Sequence, residues 1–315
     1  MPPSSSASRG RADARLRAAG TAIGALVFAA IVLYLWRSVR AGELALGRAN
    51  LGMLATSMAL LLAAYAAQAL AWHLLVRAAG GASTLRADCA RWALSLLGKY
   101  VPGKVFHAIG RVLLYREHSP GPAGASAAIV AELLLTLTAA ACVAAVALAP
   151  HAGQLPFAAL PIAAAGAVVG LALSFSTAFD RLAGRVAARA MKSSPPAPIA
   201  PRLRLVPFAL QAVSYVLLGA GLHVLARAWD MSDVAPLAVA MGALCLSGIV
   251  GIVAFIVPAG IGVREGALVW LLAPFGGVTQ AAFIAVAARV WLTAGDAVAA
   301  AVGGLVLRRG NGRRG

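Results

Sequence analysis

Six stretches of this chain are apolar over about twenty residues or more, the length a helix needs to cross the hydrocarbon core of a bilayer. They cover about 18–36, 51–76, 123–149, 155–178, 205–228 and 278–307. In hydrocarbon every backbone N–H and C=O must find its partner within the chain, so runs of this kind fold as helices. Two further apolar stretches are interrupted. Residues 88–116 break at Val101-Pro102-Gly103, and residues 236–274 break at Val257-Pro258-Ala259-Gly260-Ile261-Gly262. Proline lacks an amide donor and clashes with the preceding turn, and glycine loosens the backbone. Each broken stretch therefore reads as two short helices joined by a bend.

The composition excludes a soluble two-domain protein. Hydrophobic residues make up 61% and charged residues 12%, with a mean hydropathy of +0.86; a soluble domain has about 45–50% and about 25%. A formal charge of +17 would ordinarily point to nucleic acid. Here the charges lie between apolar runs, in the manner of basic cytosolic loops, which excludes nucleic acid as a partner. Of the 27 Lys and Arg residues, 21 fall on one side: before residue 18, between 77 and 118, between 179 and 204, and after 307. The positive-inside rule then places both termini in the cytosol, with Arg37, Arg40 and Arg48 in the first loop as the exception. The Ala-, Gly- and Arg-rich usage points to a high-GC bacterium, and so to its inner (cytoplasmic) membrane.

With this topology, 88–116 begins and ends in the cytosol and 236–274 begins and ends outside. The expected fold is an all-α polytopic membrane protein. It has about six full transmembrane helices plus two opposed, re-entrant helical hairpins; eight kinked crossings are the alternative. The two Val-Pro breaks lie 156 residues apart, close to half the chain. Broken helices at corresponding positions of two halves indicate an inverted repeat. The organisation is a basic cytosolic N-terminus (1–17), a transmembrane domain (18–307) and a basic tail (308–315). The domain divides into halves 18–192 and 205–307, joined by a Pro/Ser-rich linker at 193–204.

No catalytic constellation is present: there is no Walker A, H-E-x-x-H or G-x-S-x-G motif. Cys89, Cys142 and Cys245 have no C-x-x-C spacing, and the five histidines are scattered, so neither a disulfide framework nor a metal site is expected. No cofactor is implied, and the chain reads as a transporter rather than an enzyme.

Ionisable residues within the apolar stretches are expensive and mark function or internal pairing. After the first break, Lys104, His107 and Arg111 share one helical face, continued by Tyr115, with Lys99 just before the break. Cations beside a helix N-terminus suit an anion, and in a membrane that anion is a lipid phosphate. After the second break, Gly260 and Gly262 allow close backbone approach and Arg264 is a second anion clamp. Glu265 is the ion-pair partner of Arg264 or a proton carrier. Glu132 and Thr136 share a face of the crossing at 123–149. Arg289, Thr293 and Asp296 form a stripe on the last helix, directed to other helices rather than to each other. Glu132 and Asp296 are candidates for proton coupling. Gly166 and Gly170 form a GxxxG pattern that serves close helix packing.

The run Phe255 to Leu268, with Pro258-Ala259-Gly260-Ile261-Gly262-Val263-Arg264-Glu265-Gly266-Ala267 at its centre, resembles the P-G-G-x-G-x-R-E-A signature of the lysylphosphatidylglycerol synthase transmembrane-domain family. These are flippase-like membrane proteins. Lys99-Tyr100-Val101-Pro102-Gly103-Lys104-Val105, leading to Gly110-Arg111, resembles the family's earlier Pro-Gly motif, and Arg289 stands where members commonly have an Arg. The chain departs from the family at Glu132-Leu133-Leu134-Leu135-Thr136, where members often carry Glu-Arg and then Asp. The aminoacyl-transferase domain of the large synthases is missing. The resemblance implies a stand-alone flippase that moves an anionic or modified phospholipid or glycolipid. The alternatives are a membrane subunit working beside a separate glycosyl- or aminoacyl-transferring enzyme, and a small-anion secondary transporter.

Overall fold

The computed structural model describes residues 49–100, 105–177, 198–253 and 262–311, with isolated positions 33, 36, 37, 40, 181, 184 and 185. The expected first crossing at 18–36 lies almost wholly outside the described residues. So do the linker up to 197 and the two hairpin tips, with Pro102, Gly103, Lys104, Pro258 and Gly260.

The described residues are helical, without a strand. They form α1 (Leu51–Ala78), α2 (Leu85–Ser95) running into a 3-10 turn (Leu96–Lys99), α3 (Val105–Leu114) and α4 (Gly121–Leu148). Next come α5 (Ala159–Ser174), α6 (Leu205–Arg227), α7 (Leu237–Val253) and α8 (Val263–Asn311). Side chains at the helix starts hold free amides: Asn50 Oδ1 accepts from the Met53 amide at 3.1 Å, and Thr84 Oγ1 from that of Ala87 at 3.4 Å. Four helical segments are long and apolar enough to span a membrane. Many large apolar side chains on the outer faces are exposed, Phe157, Val146 and Val168 among them. A helix assembly that is apolar both inside and outside belongs in hydrocarbon. This is the expected all-α polytopic architecture.

The longest helix is two. Glu265 and Arg289 lie 24 residues apart on α8, a separation of about 36 Å along a straight helix. Yet Arg289 Nη1 and Glu265 Oε1 are 3.3 Å apart. The chain therefore reverses midway between them, at Gly277, whose φ of 82° and ψ of 164° are non-helical. Glycine adopts this conformation without a Cβ clash. We call the two legs α8a (263–276) and α8b (278–311).

The same test locates both hairpins. Arg111 Nε lies 3.1 Å from Ser95 Oγ, so α3 returns alongside α2. A Cβ on Gly251 would lie 3.4 Å from the Cβ of Arg264, so α8a returns alongside α7. The two breaks read from the sequence fall between these paired arms, and their residues up to 261 lie outside the described ones. At 11, 10 and 17 residues, α2, α3 and α7 rise about 16, 15 and 25 Å, and α8a about 21 Å. Over the described residues each is shorter than the hydrocarbon core of about 30 Å. The crossing expected at 155–178 is also shorter: α5 holds 16 residues, because a 3-10 turn (Ala149–His151) and turns through Pro156 delay its start.

The halves repeat. A shift of 156 residues carries α1 onto α6, the α2–α3 hairpin onto α7–α8a, and α4 onto α8b. At the centre α1 and α6 run antiparallel, with the Asn50 amide donating to Ala228 O at 2.9 Å and Ser57 Oγ to Gly221 O at 2.9 Å. Each hairpin packs on the last helix of the opposite repeat, α2 on α8b and α7 on α4. Gly170 faces Thr138, where a Cβ would come within 2.6 Å of Oγ1, so the GxxxG pattern does serve packing of α5 on α4.

Gly303 lets α2 lie on α8b: a Cβ there would stand 2.7 Å from Ala90 O and 3.2 Å from the Leu94 amide. Backbone cannot give way as a side-chain tip can. Gly303→Leu is expected to cost about 1–3 kcal/mol, seen as a lower thermal unfolding midpoint in detergent. Gly110→Ala, whose added methyl meets nothing within 4 Å, should not lower it.

Candidate functional site

Helix α8b carries Arg289, Thr293 and Asp296 on one face, and the two charged ends of this stripe tie down one hairpin each. Asp296 is 4% exposed. Its Oδ1 accepts from Tyr65 Oη at 2.7 Å and from Lys99 Nζ at 3.1 Å, and its Oδ2 from Tyr100 Oη at 2.8 Å. Tyr65 comes from α1; Lys99 and Tyr100 come from the end of the first hairpin's incoming arm. Three donors satisfy this carboxylate away from water.

Arg289 reaches the second hairpin through Glu265, which is 2% exposed. Glu265 Oε2 also accepts the Gly262 amide at 2.6 Å, closing the first turn of α8a. Two expectations change here. Glu265 pairs with Arg289 instead of with its neighbour Arg264, because adjacent residues on a helix point about 100° apart. The Gly262 amide is engaged by Glu265 and is not open to a headgroup. Arg264, Glu265 and Arg289 close one end of a cavity whose other walls are Leu244, Leu268, Ala285, Ala288 and Leu292. It has room for about one water molecule.

In the first hairpin Arg111 is 2% exposed and turned inward. It pairs with Glu132 Oε2, and its guanidinium lies 4.4 Å from the centre of the Trp72 ring. Trp92 Nε1 donates to the second oxygen of Glu132 at 2.9 Å. Of the expected Lys104–His107–Arg111 anion face, Arg111 is committed to a carboxylate. Lys104 and the His107 side chain lie outside the described residues. Tyr115 does not continue that face toward a ligand, since it is fully buried and donates to Asp88 Oδ1 at 2.6 Å.

Asp88 is a residue that the sequence reading passed over. It is 0% exposed and gathers Tyr115, Ser83 Oγ at 2.6 Å, His73 Nδ1 at 2.8 Å and Arg91 Nη1 at 3.3 Å. These partners come from α1, the α1–α2 turn, α2 itself and the end of α3, so one carboxylate knits the first hairpin to α1. Its signal in the sequence was a lone Asp with Arg at i+3 and Ser95 at i+7, hidden in a stretch counted for its basic residues. Three of the residues counted there, Arg91, Lys99 and Arg111, neutralise interior carboxylates rather than lining a loop.

The repeat shows in the charges as well. The shift of 156 residues carries Glu132 to within one residue of Arg289 and Arg111 to within two of Glu265. Each half thus ties the returning arm of its hairpin to the following helix by one buried ion pair, with the signs exchanged. Arg264 is different. It is half-buried, its stem lies along Gly251 of α7, and it has no hydrogen bond or ion pair among the described residues.

Among the described residues no three His, Cys, Asp or Glu side chains converge as a metal site. Comparison with protein-family models, curated proteins and solved structures finds no match.

Removing one partner of a buried charge cluster leaves the others uncompensated. Asp88→Ala is expected to destabilise the protein by about 3–5 kcal/mol, measured as loss of the folded peak on size exclusion or a lowered unfolding midpoint. Asp233→Ala, at an exposed position between α6 and α7, should change it by less than about 0.5 kcal/mol.

Proposed function

We propose that this chain is a lipid translocase of the bacterial inner membrane, with both termini cytosolic, moving an anionic or modified phospholipid or glycolipid between leaflets. The family it resembles in sequence, the flippase-like lysylphosphatidylglycerol synthase transmembrane proteins, accords with this reading. The observation that carries the proposal is the meeting of two quasi-equivalent hairpins, built of helices too short to cross, on one polar face of the last helix.

In this mechanism the acyl tails stay in hydrocarbon and only the headgroup follows the polar face. A headgroup phosphate cannot enter a low-dielectric interior unpaired. Here it exchanges partners: the phosphate takes the place of a carboxylate on one of the buried cations, and that carboxylate takes up a proton or another cation. Glu265, Glu132 and Asp296 are the carboxylates available for the exchange. With room for about one water at the Arg264–Arg289 cavity, the conformation described is a closed one. The second hairpin must leave Arg289 for a headgroup to pass. Binding of the lipid and opening of the Glu265–Arg289 contact are thus coupled.

The full chain reconstituted into liposomes with fluorescent phosphatidylglycerol tests this. Wild-type protein is expected to bring inner-leaflet lipid to a membrane-impermeant quencher faster than protein-free vesicles do, and Arg289→Gln to fall toward the protein-free rate. Wild-type transfer at the protein-free rate would sink the proposal.

A further inference from the structure

The interior charges of the described residues can be matched one by one. Asp88 is taken by Arg91, Glu132 by Arg111, Asp296 by Lys99 and Glu265 by Arg289. The buried Arg204 is spent on backbone, its Nη1 donating to Ser174 O at 2.7 Å and its Nη2 to Ile199 O. Apart from Arg204, one interior cation of the described residues is left over. Arg264 has no carboxylate and no hydrogen-bond partner among the described residues. It borders, with Glu265 and Arg289, the small cavity between α7 and α8, where its stem lies against Gly251. The adjoining helix end adds nothing, since the Gly262 amide is already bonded to Glu265.

We infer that Arg264 is the ligand-accepting group of the site and that the site takes one negative charge, that of a phosphodiester. The basis is charge balance in a poorly solvated interior. Among the described residues the four pairs are neutral and Arg204 is held apart by the Ser174 and Ile199 carbonyls, so the charge left at Arg264 is a single positive one, and a phosphodiester monoanion cancels it. A phosphomonoester carrying a second charge would leave the site negative beside Glu265. A zwitterionic headgroup would bring a cation next to Arg264. The planar guanidinium can grip two phosphate oxygens at once. Because Arg111 and Arg289 already have internal anions, they steer and release the ligand and do not define its charge. This inference rests on the translocase reading only for where the ligand comes from; the same chemistry would hold a soluble phosphodiester.

The test is retention of labelled lipid by the full chain purified in detergent. The probes are phosphatidylglycerol, phosphatidic acid and phosphatidylcholine, with soluble glycerophosphoglycerol as competitor. Wild-type protein is expected to retain phosphatidylglycerol at least about tenfold over the other two. Arg264→Gln should abolish the preference and Arg264→Lys should restore most of it. Gly251→Leu, which crowds the Arg264 stem without touching a charge, should weaken it. Competition by glycerophosphoglycerol at concentrations similar to the lipid assigns the site to a soluble phosphodiester, and failure to compete assigns it to a lipid; both keep Arg264 as the acceptor. Equal retention by wild type and Arg264→Gln in monodisperse protein, or a preference for phosphatidic acid, overturns the inference. Arg264-dependent retention with no transbilayer movement in liposomes would keep it and remove the translocase reading instead.

Discussion

Helix α8b is the post to which the rest of the assembly is tied, and the ties are ionic. Arg289 holds the second hairpin through Glu265, and Asp296 holds the first through Lys99 and Tyr100. An apolar interior facing hydrocarbon gives helices little reason to choose one neighbour over another, since lipid tails are as apolar as leucine. Close packing at small residues brings helices together. Buried charges then settle which faces meet, because any other register would leave an ion unpaired where water is absent. Seven residues separate the two charges on α8b, about 10 Å of helix, so the two hairpins reach the same face at different depths.

The inverted arrangement of the two halves turns this into a device. Each hairpin leans on the final helix of the other repeat, and each has one buried ion pair between its returning arm and the helix that follows. The signs are exchanged: carboxylate on α4 and guanidinium on the hairpin in the first half, the reverse in the second. A repeat built this way leaves two similar contacts, one in each half, on either side of the α1–α6 centre. Symmetric backbone with unsymmetric charge also leaves room for a remainder, and that remainder is Arg264.

Several parts of this were legible in the residues. The Pro-Gly breaks separate the paired arms of the hairpins, since residues 95 and 111, and 251 and 264, meet from either side of them. The Arg289–Asp296 stripe was legible because a polar face on an apolar helix must point inward, and its charges do bridge to other helices. What sequence spacing could not supply was the pairing. Glu265 beside Arg264 looks like a pair in one dimension, yet a helix sends adjacent side chains apart and brings residue 289 back to 265 only through the reversal at Gly277. Arg111 looked like a ligand cation because its carboxylate, Glu132, belongs to another helix. Asp88 escaped notice among basic neighbours, although it is the most completely enclosed acid of the four.

The amino-acid sequence alone determined that this is a helical membrane protein with two broken stretches at equivalent places. Hydrocarbon demands long apolar runs with internally bonded backbone, and proline and glycine interrupt them wherever they stand. Those are local and periodic properties, visible one residue at a time. Tertiary structure decided which charges cancel. The sign and distance of a partner 21, 24 or 197 residues away in the chain depend on how helices are laid side by side. Only after those partners are matched does Arg264 stand out, among the described interior residues, with neither a carboxylate nor a hydrogen-bond partner.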